Sequence, residues 1–210
     1  MFYLRVKRVI DFVLATIGLI VLSPLFLIIA VAIKIDSKGP VLFKQKRVGI
    51  HKTHFDMLKF RTMSIEAPSH IPTHLLENPE QYITKVGRLL RKTSFDEWPQ
   101  ILNIIAGDMS IIGPRPALWN QGDLVAERDK YGANNIRPGL TGWAQINGRD
   151  ELSIEVKARL DGEYVEKFSL IVDMKCFFMT IVSVLKRDGF MEGTTDMDEN
   201  EEVAAMKIQD

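Results

Sequence analysis

The chain has 210 residues, enough for one sizeable domain with its own core and an appendage. Lys plus Arg and Asp plus Glu balance at 27 each, which gives no global charge of the kind that draws a protein to nucleic acid. A single cysteine, Cys176, excludes an internal disulfide and suits a reducing compartment; in its apolar run it reads as a buried, inert thiol.

The neutral total conceals an uneven distribution. Residues 34–61 are basic, with Lys34, Lys38, Lys44, Lys46, Arg47, Lys52, Lys59 and Arg61 against Asp36 and Asp56. Such a block suits phosphates or anionic lipid. The first element is the run "DFVLATIGLIVLSPLFLIIAVAIK", uncharged from Phe12 to Ile33. As one straight helix this run is about 33 Å long, enough for a hydrocarbon core of about 30 Å. Ser23-Pro24 interrupts it, and proline removes a backbone donor and bends a helix. Both flanks are basic: Arg5, Lys7 and Arg8 before, Lys34 and Lys38 after. A single crossing would put one basic flank outside, against the positive-inside bias. A helix that enters, breaks at Ser23-Pro24 and returns keeps both inside. By sequence physics alone, re-entry and a kinked single crossing both stand.

After a break at residues 36–40, "VLFKQKRVGI" and "HFDMLKFRTM" alternate around Gly49 and predict a β-hairpin. Residues 64–80, with Pro68, Pro72 and Pro79, read as a loop. "YITKVGRLLRKTS" predicts a short helix, and a second runs from about Glu97 to Ile105, closed by Gly107. "GPRP" is extended or turned, since residues before proline avoid the helical region. "QGDLVAERDKYG" is a helix. "IRPGLTGWAQINGRD" carries too many breakers for regular structure. From Glu151, apolar residues recur every four positions, predicting an amphipathic helix. "LIVDMKCFFMTIVSVLKR" is apolar around most of its circumference, either a core helix or one lying in the membrane interface. The last twenty residues are acidic, without aromatics or apolar period, and are expected to be disordered.

Chemistry concentrates at "RKTSFDEWPQ", where Asp96 and Glu97 are adjacent. Ser94 and Glu97 have capping-box spacing, and by spacing alone capping is the favoured explanation. Pro99 complicates that register and favours a helix that starts nearer Asp96 or Glu97. The neighbouring cations change the balance: Arg88, Arg91 and Lys92 upstream, Arg115 between two prolines, Arg137 and Arg149 flanking a Gly-rich stretch. Arginine's fork matches phosphate oxygens in pairs. Several such residues around an acidic pair suggest a diphosphate site with a metal. His51-x-x-His54 and His70-x-x-x-His74 are set aside as a zinc site, having no cysteine nearby and Pro72 splitting the second pair. Trp98, Trp119 and Trp143 read as core or interfacial aromatics.

The pieces "VLFKQKRVG", "KFRTM", "TSFDEWPQILNII", "GDMSIIGPRP", "RPGLTGWAQINGR" and "LDGEYV…FSLIVDMK" follow one another from about residue 5 to 187. In that order, behind an apolar hairpin with Ser23-Pro24, they resemble the bacterial sugar transferases, the monotopic polyprenyl-phosphate phosphoglycosyl transferases. One departure is the turn after Gly49, "IHKTHF", which lacks the second glycine many members carry. The resemblance implies an α+β, mainly helical fold in three parts. Residues 1–36 form a re-entrant helix-break-helix in the membrane with its break at Ser23 and Pro24. Residues 37–190 form a cytoplasmic catalytic domain with a small β-hairpin and amphipathic helices at the interface. Residues 191–210 are the disordered acidic tail. The expected form is the small, single-function one.

It also implies a reaction: a phospho-sugar passes from a UDP-sugar to polyprenyl (undecaprenyl) phosphate, with UMP released and magnesium required. In that reading Asp96 is the nucleophile of a covalent intermediate and Glu97 assists. Lys59, Arg61, Arg91, Arg115, Arg137 and Arg149 bind phosphate or substrate. Asp96, Glu97, Asp161 and Asp173 are the candidate magnesium ligands. The expected location is the cytoplasmic face of the bacterial inner membrane, with membrane lipid, a second copy of the chain and downstream glycosyltransferases as partners and no nucleic acid. The alternative is a non-catalytic membrane-surface scaffold in which the Asp-Glu pair is only a helix cap.

Overall fold

The computed structural model describes residues 2–67, 78–148 and 152–186. Helix α1 (Phe2–Asp36) runs through Pro24. Proline has no amide to offer the carbonyl four residues back, Ile20. Ser23 makes good the loss, its hydroxyl donating to Ile20 O at 2.8 Å. Residues on both sides of Pro24 pack on the same body. Ala15 shares a buried cluster with Met57, Ile104 and Met109. Ile29 and Ile33 share another with Phe60 and Leu90. The opposite side of α1 is apolar and exposed at Val9, Phe12, Ile17, Ile20, Val21, Leu27 and Ile28. Its length and composition are sufficient to cross a membrane.

Polar contacts fasten the start of α1. Lys7 is buried and reaches Asp173 at 2.7 Å and Asp11 at 3.8 Å. Arg8 donates to the carbonyls of Ile104 and Ile105. Asp11 accepts from the Ser110 hydroxyl at 2.6 Å.

The expected hairpin is present. Strands β1 (Leu42–Val48) and β2 (His54–Phe60) pair antiparallel, Leu42 opposite Phe60 and Val48 opposite His54. In the connecting turn, His51 and Lys52 have φ of 53° and 61°. Here the absent glycine has a structural meaning, because residues with a Cβ occupy left-handed backbone that glycine adopts without strain.

Helix α2 (Lys85–Thr93) is capped by the Thr84 side chain, which accepts from Gly87 N, and ends at Ser94 with φ 57°. The helix expected over 97–105 is divided. A 3-10 turn holds Phe95–Glu97, and α3 (Gln100–Ala106) begins after Pro99 and stops at Gly107, φ 99°. Pro99 is the reason: it cannot donate inside a helix but fits ahead of its first turn.

The Gly-rich stretch is more regular than expected. Strand β3 (Ser110–Ile112) pairs in parallel with β4 (Gly139–Thr141). A Cβ on Gly139 or Gly142 would run into the Gly113 backbone, so these glycines allow close approach rather than breaking structure. Helix α4 (Gly122–Asp129) precedes β4, and the short α5 (Trp143–Ile146) follows it. Helix α6 (Ile154–Glu166) starts at Ser153, whose side chain accepts from Val156 N.

Helix α7 (Leu170–Lys186) buries Cys176 against Ile112 and Tyr164. It exposes Leu170, Ile171, Met174, Phe177, Phe178 and Ile181. The described residues are therefore mainly helical, with a small antiparallel hairpin and with apolar outer faces on α1 and α7. The proline-rich loop with His70 and His74, Arg149 and the acidic tail lie outside the described residues.

Candidate active site

Ser94 does not form a capping box. It is the left-handed residue closing α2 and makes no side-chain cap bond to the turn that follows. Its conformation turns the chain so that Asp96 and Glu97 leave on a short 3-10 turn between α2 and α3. The aromatic neighbours of the pair fix that turn. Phe95 and Trp98 lie 4.2 Å apart by ring centroid, and Trp98 lies 6.4 Å from Phe26 of α1, two residues beyond Pro24. The acidic pair therefore sits beside the proline-containing part of the long apolar helix.

Glu97 Oε1 accepts two charged hydrogen bonds, from Lys59 Nζ of β2 at 2.8 Å and from Arg115 Nη2 at 2.9 Å. Burial opposes the Glu97 charge, but Arg115 and Lys59 outweigh it and hold the carboxyl well below the usual carboxylate range. Asp96 lies in the opposite environment. Burial pushes its carboxyl up to about 6; Lys59 pulls it down, Glu97 pushes it further up, and Arg91 pulls it down. Two adjacent carboxylates are thus driven apart, one firmly ionised and one poised near neutrality, as acid–base and nucleophilic sites require. Arg91, at the end of α2, is oriented by Thr62, whose hydroxyl accepts from its Nε at 3.0 Å.

The structure thus brings Lys59, Arg91, Asp96, Glu97 and Arg115 together. It does not bring Arg61 or Arg137 to them. Arg61 is buried and donates to Ser37 O, Ser37 Oγ and Lys38 O, clamping the exit from α1. Arg137 donates to Gly107 O, at the other end of α3 from the pair. Both side chains serve backbone carbonyls, which a count of surface arginines does not anticipate.

Of the later acidic residues, Asp161 is buried and paired with Arg128, whose Nε and Nη2 lie 2.8 and 2.6 Å from its Oδ2. Burial pushes its carboxyl up against the pull of Arg128. Arg128 also donates to Arg115 O at 3.0 Å, which makes Asp161 a support for Arg115. Asp173 belongs elsewhere: its two oxygens accept from Tyr3, Lys7 and Tyr164, joining α1, α6 and α7. The four candidate magnesium ligands do not converge, and among the described residues no group of three or more His, Cys, Asp or Glu does so. Asp96 and Glu97 are adjacent carboxylates, the donor type that magnesium takes together with substrate phosphates.

Sequence reasoning missed Thr62, Arg128 and the Lys7–Asp173 link. One signal was visible: Lys7 and Asp11, charged four residues apart on one face at the start of an apolar helix.

A family model described as "Bacterial sugar transferase" matches residues 2–187. The chain is 40% identical over 186 residues to the "Uncharacterized sugar transferase EpsL" of Bacillus subtilis (strain 168), covering 89% of this chain and 90% of that protein. It is 39% identical to the "UDP-glucose:undecaprenyl-phosphate glucose-1-phosphate transferase" of Escherichia coli (strain K12), covering 83% of this chain and 39% of that one. It is 38% identical to the "UDP-N-acetylgalactosamine-undecaprenyl-phosphate N-acetylgalactosaminephosphotransferase" of Aeromonas hydrophila, covering 87% of this chain and 44% of that one. The chain spans less than half the length of these last two proteins. The matched residues reach from the start of α1 to the end of α7, and the chain belongs to the bacterial sugar transferase family.

Proposed function

We propose that this chain moves a sugar phosphate from a UDP-sugar to undecaprenyl or another polyprenyl phosphate, through a covalent intermediate on Asp96. The chain is an enzyme, a phosphoglycosyl transferase. Relatives named for UDP-glucose and for UDP-N-acetylgalactosamine support a UDP-hexose or UDP-N-acetylhexosamine donor.

The observation that carries this reading is the contrast between Asp96 and Glu97 on one turn. Glu97 is committed to Lys59 and Arg115. Asp96 is the neighbouring carboxylate with an elevated proton affinity. In the first step an Asp96 oxygen attacks the phosphorus bearing the sugar. The bond from that phosphorus to the bridging oxygen breaks, and UMP leaves with that oxygen. In the second step a lipid phosphate oxygen attacks the same phosphorus, forming polyprenyl-diphosphate-sugar and freeing Asp96. Splitting the transfer lets donor and lipid use the site in turn. Lys59, Arg91 and Arg115 reduce the repulsion between an anionic nucleophile and an anionic donor and hold the phosphoryl group in line. Asp96 and Glu97 would hold magnesium, which supplies further charge neutralisation on the diphosphate.

The membrane geometry is part of the proposal. Helix α1 enters one leaflet, bends at Pro24 and returns, on the cytoplasmic face of the bacterial inner membrane. A straight helix of its 35 residues would be about 52 Å long. Clusters on both sides of Pro24 nevertheless rest on the same body. The Ser23 bond to Ile20 O supplies a partner where lipid has none to offer. The contact between Trp98 and Phe26 supports a site near that bend, where a lipid-borne phosphate would reach the interface. The proposal is tested by UMP release from UDP-sugars with polyprenyl phosphate present. Wild type is expected to release UMP, and Asp96→Asn is expected to release none; equal release by the two ends the reading.

A further inference from the structure

A pocket of about 120 Å³ is lined by Arg115, and its other lining residues have no part in the steps above. Pro116, Leu118 and Leu124 form an apolar part of its wall; the rest is polar and mostly cationic, with Arg47, Arg128 and Lys157 beside Gln145 and Asp161. Both Nε2 and Oε1 of Gln145 are buried without a hydrogen-bond partner, as is Oδ1 of Asp161. Burying an unpaired amide costs stability, so each such group calls for an explanation, and a ligand that pairs it is one. Arg115 connects the two regions, because it lines this pocket and also bonds Glu97 at 2.9 Å. A donor with its diphosphate at Arg115 therefore has this pocket within reach of whatever the diphosphate carries.

The lining selects between the two ends of such a donor. A hexose carries hydroxyls around its whole rim and would press several against Pro116, Leu118 and Leu124. A pyrimidine has two apolar faces and one edge of alternating carbonyl and N–H groups. The apolar part of the wall, with a carboxamide beside it, matches the second shape, and the cations at Arg47, Arg128 and Lys157 suit the phosphate that the base carries through its ribose. An amide offers one donor and one acceptor side by side, the complement of such an edge.

We propose that this pocket takes the pyrimidine base of the nucleotide donor and that Gln145 pairs with its polar edge. The proposal rests on the nucleotide-sugar reading above. Gln145 is a specificity residue in this scheme and takes no part in the transfer itself. Its amide is unpaired in the free protein because its partner arrives with the substrate.

The test is UMP titration by calorimetry into the full chain, in detergent with magnesium. Asp96→Asn serves as background, so that binding is measured apart from any covalent step. Gln145→Leu is expected to weaken UMP at least tenfold and to leave glucose 1-phosphate within twofold. Its Tm is expected to match or exceed that of the parent, since an unpaired buried amide has been removed. Gln145→Glu, nearly the same shape but without the donor, is expected to weaken UMP as well and provides the result if the leucine variant does not fold. Unchanged UMP affinity in the folded variant overturns the proposal. So does a loss confined to glucose 1-phosphate, which would place the sugar in the pocket. Failure of Asp96 to become labelled would sink the covalent reading and leave this binding result standing on its own.

Discussion

Lys59 Nζ lies 2.8 Å from Glu97 Oε1, so β2 of the hairpin is bonded to the turn that carries the acidic pair. Arg115 reaches the same oxygen from beyond β3, and Glu97 thereby ties three separate segments together. Glu97→Gln leaves two cations facing a neutral amide. The expected outcome is a loss of at least a hundredfold in transfer rate and a stability loss of about 1–3 kcal/mol. Steady-state UMP release and thermal melts check both. A purely capping Glu97 would lose stability only, at roughly 1 kcal/mol, and keep its rate.

Asp96 gives a pH prediction. Its carboxyl is raised to about 6, so the nucleophilic form falls away as pH drops through that value. Transfer by the free enzyme is expected to fall about tenfold per unit below pH 6 and to level off above pH 7. A kcat/KM profile from pH 4.5 to 8 checks this.

Stability moves the opposite way at this residue. A carboxyl whose folded value lies above its ordinary one favours the folded state when protonated. The ionised form therefore costs stability, a cost that is absent only well below pH 4 and is fully present above pH 6. Asp96→Asn is expected to stabilise the protein by on the order of 1 kcal/mol at pH 7.5 and by much less at pH 4. Glu97, held low, has the reverse sign. Its contribution is present above the ordinary glutamate range and is lost as pH falls below it. Denaturant melts of the two single variants at the two pH values separate these effects.

The buried pair Lys7–Asp173 secures α1 to the start of α7. Removing one partner strands the other charge, and Lys7→Met or Asp173→Asn is expected to cost about 3–5 kcal/mol. The double variant Lys7→Met with Asp173→Asn is expected to cost less than the two single changes together, which a double-mutant cycle on melting measures.

Re-entry of α1 predicts the sidedness of its two ends. Cysteines placed at Arg5 and at Ser37 are expected to react with an impermeant maleimide from the cytoplasmic side only. Labelling of one from each side would indicate a single crossing. Ser23→Ala is expected to weaken the bend by about 1 kcal/mol, because Ile20 O then loses its side-chain partner in a medium without water.

What the sequence disclosed follows the range of each signal. The hairpin was legible because seven-residue strands alternate long enough to show a period around Gly49. The helices α2, α4, α6 and α7 were legible from their periodicity and breakers. Strand β4 was not, because Gly139–Thr141 is too short for a pattern and is held by a strand about thirty residues earlier. In the candidate site, Lys59, Arg91 and Arg115 converge on the pair as expected. Arg61 and Arg137 do not, and no local feature marks an arginine whose partners are carbonyls at Ser37, Lys38 or Gly107. Gln145 was overlooked for the opposite reason: an uncharged amide shows its importance only once its burial and lack of partner are known.

Mass spectrometry of the protein after incubation with UDP-sugar and magnesium, without lipid acceptor, addresses the central claim most directly. A phospho-sugar adduct on the peptide bearing Asp96, with one equivalent of UMP released and the adduct lost on adding polyprenyl phosphate, is the predicted result. Product formation with lipid present but no adduct and no UMP burst without it would contradict the account.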